Sequence, residues 1–293
     1  MTLRLLATKF HIPSRRSGLV ARPQLLKELQ HGLDEHHKLA LISAPAGYGK
    51  TTLVAEWITL IQSSTINQTT KISWLSLDEA DNDPIRFARY FLTAFQKADE
   101  SLGAQAQGML EMPGVPPLPG LFDILLNDLA EANALFVLIL DDYHVINNPA
   151  IHAALEYFLD HQPASILLVL TTRADPPLPL ARLRARRQMT ELRARDLRFT
   201  PDEARAFFGL ANLSLAENAL RALDQRTEGW AAGLQLAALA LQNQPDPAAF
   251  IETFRGSHRY VLDYLAGEVL IQQGEEMRVF LMQTSLLARF NAE

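Results

Sequence analysis

Leu39-Ala40-Leu41-Ile42-Ser43-Ala44-Pro45-Ala46-Gly47-Tyr48-Gly49-Lys50-Thr51-Thr52-Leu53-Val54 reads as a buried strand, a loop of small residues and the start of a helix. Small residues let successive backbone N–H groups turn inward and converge on one anion, and the helix N-terminus adds unpaired donors and a favourable dipole. Ala46, Gly47, Tyr48, Gly49, Lys50, Thr51 and Thr52 are the cradle residues of such a phosphate loop. Lys50 is spaced to reach the β- and γ-phosphates and to act in their chemistry, and Thr51 offers a hydroxyl to Mg²⁺. Ala44 stands where the strict pattern has its first glycine, which a residue of negative φ tolerates. A glycine turn before an ordinary helix is the bland alternative, but it does not account for strand, Lys-Thr pair and helix together. The stretch implies a nucleoside triphosphate ligand.

The rest of the 293-residue chain suits that loop. Its length favours two domains, and its 48% hydrophobic and 20% charged content is that of a soluble globular protein. Without cysteine, disulfides and thiolate metal sites are excluded, as fits a cytoplasmic protein. The N-terminal stretch from Met1 to Arg16 reads as neither a signal peptide nor an anchor, so no membrane partner is expected. A net charge of −6 argues against coating nucleic acid non-specifically.

From about residue 38 to 195, β-rich runs alternate with helical patterns. Strands are expected at Lys38–Ser43, Lys71–Leu77, Leu135–Leu140, Ser165–Leu170 and Met189–Arg193. Helices are expected near 50–62, 84–98, 119–131, 149–160 and 178–187, with Pro113 to Pro119 as a loop. This alternation predicts an α/β fold with a parallel sheet covered on both faces. After residue 200 the strands stop, and Thr200-Pro201-Asp202-Glu203 starts a helix with a capping signal. Further helices are expected near 214–226, 229–243, 247–255, 258–273 and 275–287. The apolar segment from Trp230 to Leu241 should be buried nearly all round.

Two more constellations carry chemistry. The apolar run 135–140 ends in Asp141-Asp142, at the strand end where parallel sheets bind ligands. Beside a phosphate loop the first acid is a Mg²⁺ holder, with Thr51, and the second orients or deprotonates the attacking water. The run 165–170 ends in Thr171-Thr172-Arg173; a strand between those of the lysine and the acids aims Arg173 at the γ-phosphate. Seven arginines lie between Arg182 and Arg198 against Glu191 and Asp196, without interleaved aromatics, which reads as a solvated face or an interdomain surface.

In order along the chain, the phosphate loop, Trp74-x-Ser76-Leu77-Asp78, Asp141-Asp142-Tyr143-His144-x-Ile146 and Thr227-Glu228-Gly229-Trp230-Ala231-Ala232-Gly233-Leu234-Gln235 resemble one family. It is the N-terminal ATPase region of the large ATP-binding, MalT-like LuxR-type transcriptional regulators, which are STAND-class P-loop ATPases. The resemblance implies a nucleotide-binding domain over 1–199, a helical domain over 200–256 and the beginning of a winged-helix region over 257–293. It also implies ATP or ADP with Mg²⁺, ADP in a closed form, and self-association in the ATP state. DNA would be reached only through a C-terminal domain that these residues do not contain. By position, Arg22 takes the role of a nucleotide-contacting arginine, Arg173 that of the γ-phosphate sensor, and Trp230 a place beside the base, where relatives in the wider class present a proline. The expected function is a nucleotide-operated switch with, at most, slow hydrolysis. The alternative is an AAA+-like working ATPase, for which Asp-Glu rather than Asp141-Asp142 is usual; a small-molecule kinase ranks last.

Overall fold

The computed structural model describes residues 5–14, 18–63, 69–112, 114, 116–242, 244, 251, 259–270 and 274–284. The chain divides into two compact units. The first comprises Met1–Ser17, Ala21–Pro45 and Gly49–Leu197, and the second Gly18–Val20, Ala46–Tyr48 and Arg198–Glu293.

The first unit is built on five parallel strands: β1 (Leu39–Ser43), β2 (Lys71–Ser76), β3 (Phe136–Asp141), β4 (Ile166–Thr172) and β5 (Met189–Arg193). Their order is β2-β3-β4-β1-β5. Alternate residues of a strand face opposite sides of a sheet. Leu39 and Leu41, Leu138 and Leu140, and Leu168 and Leu170 join one large core with Phe87, Phe91, Phe95, Phe122 and Phe158. The intervening Ala40, Ile42, Val137, Ile139, Leu167 and Val169 are also buried, so the second face is covered as well. That double burial is why these runs do not alternate in polarity.

The helices of this unit are α1 (Pro23–Asp34), α2 (Lys50–Ser63), α3 (Pro84–Ala98), α4 (Ala104–Met109), α5 (Leu118–Glu131), α6 (Pro149–His161), α7 (Leu180–Ala185) and α8 (Ala194–Leu197). The α1, α4 and α8 helices are absent from the expected segments. Leu118, expected only in the loop, joins Pro119 in the first turn of α5, where a proline needs no N–H partner. β4 runs two residues past the expected Leu170, so Thr171 and Thr172 lie in the sheet, fully buried.

The second unit is helical among its described residues: α9 (Pro201–Leu210), α10 (Glu217–Thr227), α11 (Ala231–Leu241), then Arg259–Leu265, a π-turn at Ala266–Leu270, and Glu275–Thr284. The capping signal of α9 is realised: Glu203 N–H donates to the Thr200 hydroxyl at 3.2 Å, and Thr200 N–H to the Glu203 carboxylate at 2.8 Å. α11 is not buried all round: Gln235 and Leu239, one turn apart, are exposed, and Leu239 is 44% exposed. The expected helix over 247–255, except for Ile251, and the boundary after residue 256 lie outside the described residues. No helix among the described residues is long and apolar enough to cross a membrane.

Candidate phosphate-loop site

β1 delivers the chain into the loop, and Ala44 N–H donates to the Thr172 carbonyl at 3.1 Å. Gly47 and Gly49 have φ of +79° and +78°, the left-handed region where a side chain is strained. α2 begins at Lys50, and its first internal bond runs from Leu53 N–H to the Gly49 carbonyl at 2.9 Å. The N–H groups of Lys50, Thr51 and Thr52 therefore belong to the helix's first turn, where no intrahelical acceptor exists. The Lys50 ammonium folds back on its own loop, donating to the carbonyls of Ala44 at 2.8 Å and Pro45 at 3.1 Å. Burial lowers its pKa to about 8, against the opposing pull of Asp142.

The strand order explains how the acids meet the loop. β4 lies between β1 and β3, pairing Thr171 with Ile42 on one side and Leu170 with Leu140 on the other. The next step in register brings Thr171 beside Asp141. Its hydroxyl donates to the Asp141 carboxylate and accepts from Asp142 N–H at 3.0 Å. From the other side the Thr51 hydroxyl faces both Asp141 oxygens, at 3.0 and 3.2 Å. Asp141 is 5% exposed. Burial, with Asp142 alongside, raises its pKa to about 6, while the threonine hydroxyls pull the other way. Asp142 takes left-handed backbone angles, φ 60° and ψ 40°, which turn its side chain out of the strand direction.

A hard oxygen set of one hydroxyl and one carboxylate suits Mg²⁺, which keeps most of its shell as water and phosphate oxygens. Among the described residues no three His, Cys, Asp or Glu groups are placed to cage an ion on their own. Thr51 and Asp141 would thus hold Mg²⁺ only together with a ligand's phosphates.

Both perturbed groups make stability depend on pH. Asp141's folded pKa of about 6 lies above its ordinary value of 3.8. Between those pH values the folded chain keeps a proton that the unfolded chain has lost, so stability falls as pH rises through that window and stays lower above it. Lys50's folded pKa of about 8 lies below 10.5, so stability rises with pH between those values. Asp141→Asn should therefore stabilise the nucleotide-free protein by roughly 2 kcal/mol at pH 7. It should also flatten the decline between pH 4 and 6. Urea denaturation at pH 5 and 7.5 tests this; a variant that unfolds earlier than wild type at pH 7.5 would contradict it.

Arg173 follows β4 directly and is close enough to act electrostatically on Lys50. It lines a cleft of about 560 Å³ with Ser43, Ala44, Pro45, Arg193 and Arg195. Arg22 is buried, and its guanidinium donates to the backbone carbonyls of Leu197 at 2.8 Å and Asp196 at 3.4 Å. Arg22 thereby ties the start of α1 to the end of α8, a structural task that its place in the sequence does not reveal. The arginines after residue 181 are largely ion-paired: Arg182 with Glu156 and Asp160, Arg184 with Glu191, and Arg193 with Asp175 and Glu191. Trp230, in the second unit, donates its indole N–H to the Ala46 carbonyl at 3.0 Å. It addresses the phosphate loop, whereas the resemblance implies a place beside the base.

No family model matches the chain. Among curated proteins, the HTH-type transcriptional regulator MalT of Yersinia enterocolitica is 37% identical over 98% of this chain. MalT of Klebsiella pneumoniae is 38% identical over 98%, and that of Vibrio cholerae 37% over 97%. The chain is homologous to the MalT-like region of these regulators. It spans 31% of their length, about a third. Among solved structures, a Walker-type ATPase of Pyrococcus abyssi superposes with a TM-score of 0.59 at 14% identity, covering 94% of this chain and 79% of that one. The Aeropyrum pernix ORC1 protein, solved in complex with DNA, gives 0.51 at 13%, covering 92% and 73%. These likenesses bear on the fold alone, and that fold is the P-loop NTPase fold.

Two further residues stand in the site: Thr171, which sequence reading places only among the polar residues at the end of its strand, and His144. Thr171 links the first acid to the backbone of the second, as above. His144 lies with Nδ1 3.7 Å from an Asp142 carboxylate oxygen. Burial lowers its pKa, Asp142 opposes, and Arg173 and Lys50 add to the lowering. Thr171 was within reach of sequence reasoning, because an apolar strand ending in two hydroxyls beside an acid strand needs partners for those hydroxyls. His144 was not, since its approach to Asp142 depends on the left-handed turn at that residue.

Proposed function

We propose that the chain binds ATP or ADP with Mg²⁺ and acts as the nucleotide-operated switch of a MalT-like transcriptional regulator in the cytoplasm. The observation that carries this reading is the convergence of Lys50, Thr51, Thr171 and Asp141 on one strand-loop-helix junction. The N–H groups of the loop and of the first turn of α2 grip the phosphates, and Lys50 exchanges its two loop carbonyls for β- and γ-phosphate oxygens. That exchange restores a strong anionic partner to an ammonium held near pKa 8 by burial. Thr51 and Asp141 would hold Mg²⁺, which would neutralise phosphate charge there. Asp142 orients the attacking water, and Arg173 reads the γ-phosphate.

A switch needs nucleotides that favour its two forms unequally. Reversing a 99:1 preference takes about 5.5 kcal/mol of differential affinity. Contacts from Lys50, Mg²⁺ and Arg173 to the γ-phosphate are the local source of such a difference. The proposed domains are a nucleotide-binding domain over 1–199, a helical domain over 200–256 and the start of a winged-helix region from 257. Self-association in the ATP form, and DNA recognition elsewhere in the regulator, belong to the same proposal.

The test is the nucleotide released when the purified protein is denatured. Close to one ADP per chain is expected, with steady-state turnover below about one per minute, well under the ordinary enzyme median. Rapid hydrolysis by the isolated chain, without effector, would contradict a switch and favour a working ATPase.

A further inference from the structure

In a trans peptide the C=O of one residue and the N–H of the next point to opposite sides of one plane. No cis peptide occurs in this chain among the described residues. Holding a carbonyl outward therefore aims the following N–H inward. Within the second unit, Trp230 indole N–H donates to the Ala46 carbonyl at 3.0 Å, and Ala232 N–H donates to the Gly47 carbonyl at 2.9 Å. The two bonds fix the peptide planes that carry the N–H groups of Gly47 and Tyr48. Both groups are donors of the phosphate cradle in the reading above.

The packing leaves little slack. A Cβ built on Gly47 would lie 2.5 Å from Ala232 Cβ, 2.7 Å from Trp230 Nε1 and 2.9 Å from the Tyr264 hydroxyl. Gly47 thus has two reasons to be glycine: its φ of +79° and the side chains pressed against it. Trp230 is itself supported edge-on by Tyr264, with ring centroids 5.5 Å apart. Gly233 leaves room for the indole, because a Cβ there would lie 2.7 Å from Trp230 Cε3.

We infer that Trp230 is a positioning residue of the phosphate loop: with the first turn of α11 it presets two cradle amides, and nucleotide phosphates are sensed through it. The inference rests on the phosphate-cradle reading and deepens it. The indole bond is the part that mutation can remove cleanly, since Ala232 donates from its backbone.

The test uses the full chain labelled with 5-fluorotryptophan, which reports Trp57, Trp74 and Trp230 as separate ¹⁹F resonances; Trp230→Phe assigns the third. Mg-ADP should shift the Trp230 signal and leave buried Trp57 and Trp74 nearly unchanged. Trp230→Phe keeps an aromatic ring and loses the indole N–H donor, so its ADP affinity should fall about tenfold. A shorter polyphosphate, Mg-pyrophosphate, should show the same dependence, because the contact acts on phosphates and not on a base. If wild type binds ADP while the Trp230 signal stays still and Trp230→Phe binds equally well, the inference falls and the cradle stands. If wild type binds neither ligand, the cradle reading itself falls. Should Trp230→Phe fail to fold, the wild-type shift induced by pyrophosphate, with the Trp230 signal assigned as the one present in both Trp57→Phe and Trp74→Phe spectra, still decides.

Discussion

Lys50→Ala should lower ADP and ATP affinity about a hundredfold, roughly 2.7 kcal/mol. The size follows from what the ammonium does. It is 6% exposed, already stripped of water and held by two carbonyls. A phosphate offers it charge-assisted bonds, about twice as strong as neutral ones, without further desolvation. The same burial makes the substitution tolerable for the fold: an ammonium with a depressed pKa is replaced by nothing, and the lost packing is partly offset. The melting temperature of the nucleotide-free variant should therefore stay within a few degrees of wild type. Lys50→Met, which keeps the chain length, should lose affinity equally. Calorimetric titration reads both, and unchanged affinity in either variant would contradict the assignment of the lysine.

Asp81→Ala should destabilise the first unit by about 3–5 kcal/mol, the range for stranding a buried charge. Asp81 has no exposed surface. Its carboxylate takes a close ion pair from the Lys9 ammonium, a bond from Arg86 Nε at 3.1 Å and another from Asp78 N–H at 2.9 Å. Lys9 is 5% exposed and also meets Asp78 at 2.8 Å. Tyr90 completes the cluster, its ring 4.6 Å from the Lys9 ammonium and 5.1 Å from the Arg86 guanidinium carbon. Removing Asp81 leaves the buried Lys9 ammonium with Asp78 alone, and takes the shared carboxylate from Arg86 and from the Asp78 N–H. Lys9→Met should cost less, because Asp81 keeps Arg86. The double variant Lys9→Met/Asp81→Leu should recover part of the loss, since no unpaired lysine remains. Thermal melts should show a drop of roughly 6–20 °C for Asp81→Ala. A drop under 2 °C would mean that the cluster contributes little.

The two clusters differ in how far sequence alone exposes them. The phosphate loop is local: strand, loop and helix follow one another within sixteen residues, and their periodicities change where the chemistry begins. The central strands were legible for a similar reason, as β1, β3 and β4 are buried on both sides and read as unbroken apolar runs. Where the sheet's ends lie was less clear. Thr171 and Thr172 are polar, so the apolar run stops before the strand does, and only the pairing with Ile42 and Ser43 shows that β4 continues. The partner of Asp81 was out of reach, because Lys9 lies 72 residues away and a lone lysine near a terminus carries no signal. Leu239 shows the opposite failure. An apolar face predicts burial only when a neighbour covers it, and the composition of α11 could not reveal that Gln235 and Leu239 share an exposed side.

The motif around residues 227–235 meets residues 46 and 47 through the Trp230 indole N–H and the Ala232 backbone N–H. Both bonds end on backbone carbonyls, which no side-chain pattern advertises. His144 is similar: it stands near Asp142 because Asp142 adopts left-handed angles, and an Asp-Asp pair in sequence does not show which way the second acid turns.

The most direct test of the whole account is a calorimetric titration of nucleotide-stripped, folded protein with ADP, with Mg²⁺ and again with the metal chelated. Saturable binding at one ADP per chain is predicted, weakened when Mg²⁺ is removed because Thr51 and Asp141 lose the ion that joins them to the phosphates. Protein that keeps its circular dichroism yet gives no binding heat and no thermal shift with either ADP or ATP would contradict it.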